Sequence, residues 1–186
     1  MNITFIITYA IWLISEVTLN RMLHSKSTDK QHADKNSLGV IWIVIILAIS
    51  AANAIAMMYY LPIVANRIIS YIGLAVIVGG IVLRFASIIT LGRFFTVDVT
   101  IREGHQLKKD GLYALLRHPS YFASLFSFVG FGLSLNNWIS LILVVVSVIT
   151  VFIMRIKIEE KVLMEQFGEE YVTYRKRVKG LIPFVW

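Results

Sequence analysis

The sequence predicts an all-α, polytopic integral membrane protein with five transmembrane helices. Three observations carry this. Of 186 residues, 58% are apolar, against about 45–50% in a soluble domain. Apolar runs of about 17–25 residues recur, and about 20 residues cross ~30 Å of hydrocarbon. Finally, 16 of the 18 Lys and Arg residues fall in segments that five spans place on one side.

The first span covers about 3–20, and the second about 38–61, ended by Pro62. The first lacks a basic start and a small-residue cleavage site, so it is expected to be retained rather than removed as a signal peptide. The third covers about 67–91 and carries Gly73, Gly79 and Gly80, which permit close helix packing. The fourth and fifth, about 120–135 and 138–154, are short and joined by Asn136-Asn137, a turn signal for a helical hairpin. The length allows one domain, 1–186, with the first two spans (1–66) peripheral to a core over 67–186.

Charge sets the orientation. Arg21, Lys26, Lys30 and Lys35 lie in one loop, and Arg93, Arg102, Lys108, Lys109 and Arg117 in another. Arg155, Lys157, Lys161, Arg175, Lys176, Arg177 and Lys179 follow the last span. The positive-inside rule puts these segments in the cytoplasm and the N-terminus outside. The net charge of +7 is then explained by loops facing anionic lipid, not by nucleic acid. With no cysteine there is no disulfide, no thiol nucleophile and no thiolate metal site. His105 and His118 have no nearby acid or thiol at metal-ligand spacing, so no metal is expected. His24 and His32 lie in a polar loop and are assigned nothing.

Unusual residues gather between 91 and 123 and again after 155. Asp110-Gly111 marks a turn, Leu112–Arg117 suits a short helix, and Pro119 suits the first position of the fourth span. Pro119 also pushes His118 out of helical conformation, onto a bend at the membrane surface. Interfacial His and Tyr also serve as plain anchors, so His118 has two readings. In the tail, Ile156, Leu163, Phe167, Tyr171 and Tyr174 recur at helical steps. Arg155 and Glu159 are four apart on one helix face. They form either a surface ion pair worth ~0.3–0.5 kcal/mol or an Arg that grips an anion bidentately beside a Glu that accepts from hydroxyls or an ammonium. Within the spans, Glu16 and Arg84 are expected to pair, Asn53 to bond between helices, and Met57-Met58 to pack.

The string GHQLKKDGLYALLRHPSY from Gly104 to Tyr121, followed by EEKVLMEQFGEEYVTYRKRV, resembles the isoprenylcysteine carboxyl methyltransferases. The resemblance covers about 91–184, roughly half the chain, and its strength lies in the order of the elements around a two-span hairpin. It implies methyl transfer from S-adenosylmethionine to the carboxylate of a prenylated C-terminal cysteine. The cofactor pocket would be cytoplasmic, built from loop 92–119 and the C-terminal helix. By the motif, His105, Gln106, Leu107, Lys108, Tyr113, His118, Pro119, Ser120, Tyr121 and Glu159 would line the cofactor, and Arg155 would hold the substrate carboxylate. Arg155 and Glu159 would be the residues closest to the chemistry. At Lys108 the family often has an apolar residue, so its backbone is the expected contact. The alternatives are an N-methyltransferase acting on a phospholipid amine, which would need a base, and a non-enzymatic transporter or scaffold. No Gly-rich strand–turn–helix is present, so no Rossmann pocket is expected.

Overall fold

The computed structural model describes residues 2–23, 37–101 and 104–182. The described residues form six α-helices: α1 (Ile3–Met22), α2 (Ser37–Met58), α3 (Ile68–Leu91), α4 (Pro119–Ser134), α5 (Trp138–Phe167) and α6 (Glu169–Arg177). His24, His32, Lys26, Lys30, Lys35 and Arg102 lie outside the described residues.

Four helices, α1, α2, α3 and α5, are long and apolar enough to cross a membrane. The fourth expected span, α4, has 16 residues, a length of about 24 Å at 1.5 Å per residue. The five-span expectation is therefore met by four full spans and one short helix. α4 is also the most enclosed of the set: it packs between α3 and α5, so neighbours rather than lipid cover most of its sides. The other helices expose apolar side chains such as Ile7, Ile11, Ile43, Leu47, Val82, Ile89, Ile142 and Val146. On helices long enough to cross a bilayer, such surface fits hydrocarbon. The protein is an integral membrane protein.

Glycine sets the closest helix contact. A Cβ on Gly80 would lie 2.8 Å from the carbonyl oxygen of Ala123, and one on Gly130 would lie 2.7 Å from that of Gly73. Gly79 has only ordinary contact with Phe126 at 3.5 Å. Gly80→Leu is thus expected to force α3 from α4 at a cost of about 1–3 kcal/mol, read as a lower melting temperature in detergent, while Gly79→Ala leaves the transition in place.

The Asn136-Asn137 turn does more than reverse the chain. Asn136, at φ 48°, accepts from the amides of Ile63 (3.0 Å) and Val64 (3.1 Å) and donates to the Val64 carbonyl. Asn137 caps α5 by accepting from the Ser140 amide, and donates to the Tyr59 carbonyl at 2.7 Å. The pair so fastens the α4–α5 hairpin to the α2–α3 connection. At the opposite end of the bundle the core gives way to polar chain, and all the remaining machinery gathers there. We call this the site end.

Three intramembrane expectations are answered directly. Arg84 pairs with Glu16 at 3.3 Å and also donates to the Ser120 carbonyl. Asn53 donates to the Ile49 carbonyl one turn back in its own helix, rather than across helices. Met57 and Met58 are exposed where α2 ends, instead of packed.

Candidate active site

The chain between α3 and α4 is built by turn chemistry. Gly92 ends α3 at positive φ, and Gly111 at φ 58° allows a 3-10 turn over Gly111–Ala114 in place of the longer helix expected from 112 to 117. Leu116 then pairs as an isolated parallel bridge with Lys179, and the amides of Arg117 and His118 donate to the carbonyls of Lys179 and Gly180 at 2.8 and 3.1 Å. The tail thereby folds back onto the turn before α4. Pro119 is the first residue of α4, and His118 precedes it at φ −125°, ψ 59°, out of helical conformation.

α5 runs 30 residues without a break, so it leaves the apolar bundle and carries Arg155, Glu159 and Glu160 into the polar region on consecutive turns. Arg155 is 1% exposed. It donates to the Val97 carbonyl at 2.6 Å and to the Ser37 hydroxyl, joining α5 to α2 and to the segment after α3. This is not a surface ion pair. Tyr121 lies within reach of both Arg155 and Glu159.

Arg155 and Glu159 border one cavity of about 360 Å³ together with His105, Leu107, Lys108, Tyr113, His118, Ser120 and Tyr121. Gln106 is exposed, and Pro119 is buried in the start of α4; neither borders the cavity. The structure therefore does not bring these two residues into the expected cofactor pocket. Lys108 borders it, with its ammonium 2.9 Å from Asp110. The His105 ring stacks on Phe94 at 4.9 Å and meets Phe167 edge-on.

Loop 92–119 and the C-terminal helix were expected to build the pocket, but several of the residues that do so were not named. The stretch Phe94–Ile101 forms one side, with Phe95, Val99 and Ile101 buried. Tyr171 and Tyr174 of α6 form another; their helical spacing was visible, their direction was not. Burial pushes the hydroxyls of Tyr113, Tyr171 and Tyr174 well above the usual phenol range, so they stay protonated. Tyr174 donates to the Tyr113 carbonyl at 2.5 Å. The Tyr171 hydroxyl and the Thr100 hydroxyl, both buried, have no hydrogen-bond partner among the described residues. α1 and α2 also contribute wall: Trp12, Glu16, Ile41, Ile45 and Ile49 line the cavity deep in the bundle. The cavity is polar at the site end and apolar below, where Trp12, Phe128 and Phe152 form an aromatic row.

Comparison with known proteins shows the family. A family model described as phospholipid methyltransferase matches residues 68–170, the span from α3 into α6. Protein-S-isoprenylcysteine O-methyltransferase B of Arabidopsis thaliana is 37% identical over 184 residues, 97% of this chain and 86% of its own length. The chain belongs to the isoprenylcysteine carboxyl methyltransferase family. The Saccharomyces cerevisiae protein-S-isoprenylcysteine O-methyltransferase is 32% identical over 123 residues, and the match covers 52% of it. The solved structure of a eukaryotic intramembrane Ras methyltransferase, also an isoprenylcysteine carboxyl methyltransferase, superposes with a TM-score of 0.61 at 30% identity. That match covers 80% of this chain and 51% of the other, so this methyltransferase spans about half the length of those two relatives.

Proposed function

We propose that the protein transfers a methyl group from S-adenosylmethionine to the α-carboxylate of a C-terminal isoprenylated cysteine. The observation that carries the proposal is the single cavity whose polar end holds Arg155, Glu159 and His118 and whose apolar end runs among Trp12, Ile41, Ile45 and Phe128. Such a shape suits an acceptor with a charged head and a hydrocarbon tail. Its volume is that of a small-molecule site, about 300–1,000 Å³.

The residues present fit the cofactor. Tyr171 and Thr100 offer buried hydroxyls that lack a partner among the described residues, and Glu159 offers an acceptor for hydroxyls or an ammonium. When bound, S-adenosylmethionine supplies an electrophilic methyl on a sulfonium, whose C–S bond breaks as a C–O bond forms to the acceptor. An ionised carboxylate is already the nucleophile, so no base is required of the protein. Arg155 orients that carboxylate through two parallel donors. Enclosure excludes water, and alignment supplies the rate. The apolar wall seats the prenyl chain.

The Arabidopsis relative, matched over nearly the whole chain, acts on isoprenylcysteine and forms an O-methyl product by its name. That supports the carboxylate acceptor over a phospholipid amine, and an enzyme over a transporter or scaffold. With N-acetyl-farnesylcysteine and a labelled methyl donor, the product should be a base-labile methyl ester. Labelling of phosphatidylethanolamine in its place would overturn the reading.

The site end faces the cytoplasm in this proposal. Arg93, Lys108, Lys109, Lys157, Lys161, Lys176 and Arg177 lie there, whereas the hairpin end has Arg67, which agrees with the positive-inside rule. The chain has no cysteine, so single cysteines report topology cleanly. Ala65→Cys should react with an impermeant maleimide on intact cells and Lys176→Cys only after permeabilisation; the reverse pattern would invert the orientation.

A further inference from the structure

A second carboxylate lies directly behind the cavity and does not border it. Glu160 follows Glu159 on α5, so it points about 100° away around the helix, and it is 4% exposed. Its Oε1 meets Arg117 Nη2 at 2.7 Å and His118 Nε2 at 3.2 Å, and its Oε2 meets Arg175 Nε at 3.3 Å. Arg117 continues the network to the carbonyls of Arg175 and Val178. One carboxylate thus gathers the turn before α4, the end of α6 and the returning tail.

The consequence lies in the His118 ring, which is 3% exposed and sits between two acids. Nε2 faces Glu160, and Nδ1 stands 3.9 Å from Glu159 Oε1. A carboxylate flanked by two guanidinium groups is ionised and only accepts, so the ring proton toward it sits on Nε2. In the neutral ring Nδ1 is then an acceptor, turned toward a second acceptor on the cavity wall. Two acceptors so placed are satisfied together by a donor-rich group, an ammonium or a pair of hydroxyls.

We propose that Glu160 is a positioning residue: by accepting the Nε2 proton of His118 it sets the ring so that Nδ1 and Glu159 Oε1 form a paired acceptor for a hydrogen-bond-donating group of the methyl donor. This rests on the function proposed above. It differs from a purely architectural role, in which Glu160 only ties the tail to α5.

The test uses the full chain in nanodiscs with ¹⁵N-labelled histidine. The His118 signal is assigned by its loss in His118→Ala. Before any ligand is added, wild type should show Nε2 protonated and Nδ1 bare; a ring protonated at both nitrogens overturns the paired acceptor. Glu160→Gln keeps an oxygen for Arg117 and His118, and should hold that signature and stay within about threefold in S-adenosylhomocysteine affinity, whereas Glu160→Met should mix the tautomers and weaken affinity about tenfold or more. At saturating donor, the KM for the prenylcysteine acceptor should barely change. In a His118→Ala background the Glu160→Met loss should vanish, because the two act as one unit. Should Glu160→Met fail to fold, Glu160→Asp withdraws the carboxylate from the ring by one methylene and is read the same way. An unchanged His118 signature, or a loss that persists undiminished without His118, overturns the role of Glu160. Failure of wild type to bind S-adenosylhomocysteine overturns the functional reading itself.

Discussion

Arg155→Ala is expected to lower methyl transfer about 10²–10³-fold while S-adenosylhomocysteine binds nearly as before. The reason is geometric. The guanidinium is almost wholly enclosed, and its described bonds to Val97 and Ser37 fix its plane before any substrate arrives. A preset planar donor pair is what a carboxylate needs for one orientation, and alanine offers none. The same bonds give a second expectation: Arg155→Lys keeps the charge but not the fork, so it should recover little of the activity. Steady-state kinetics with the prenylcysteine acceptor, beside calorimetric titration of S-adenosylhomocysteine, separates the two substrates. A collapse of donor affinity in Arg155→Ala would move the residue to the other half of the cavity.

Glu159→Gln is expected to act in the opposite half. Removing one charged acceptor from a partly enclosed wall costs about 1.5–3 kcal/mol, or roughly ten- to a hundredfold in donor affinity. The acceptor KM at saturating donor should move little. Side-chain exposure of 31% at Glu159 keeps the expected effect near the lower figure, because water screens part of the interaction. His118→Ala should weaken donor binding as well. Unchanged affinity in Glu159→Gln would take that residue out of the pocket, and a fully active His118→Ala would return His118 to a plain interfacial anchor.

Much of this was legible in the chain because the signals are local. Apolar runs marked α1, α2, α3 and α5, and Pro119 marked the start of α4. Asn136-Asn137 marked the hairpin, and the helical step between Arg155 and Glu159 put both on one face. The Glu16–Arg84 pair was readable because two charges in adjoining spans have few other solutions. What stayed hidden depends on where distant segments meet. Nothing local says that residues 179–180 return to cover 117–118, so the division of labour between the adjacent Glu159 and Glu160 could not be read. Loop 92–119 was expected to line the pocket, but Phe94–Ile101 has no periodicity to show which of its residues do. α4 read as a short span, and composition does not report which neighbours will shield a short helix.

The unbroken α5 has a mechanical consequence. At 30 residues it is a rod of about 45 Å, capped at its start beside the hairpin turn and bearing Arg155 and Glu159 at the site end. Lipid of different thickness tilts such a rod rather than bending it. Both side chains then travel as one piece, so the spacing between Arg155 and Glu159 is preserved whatever the tilt.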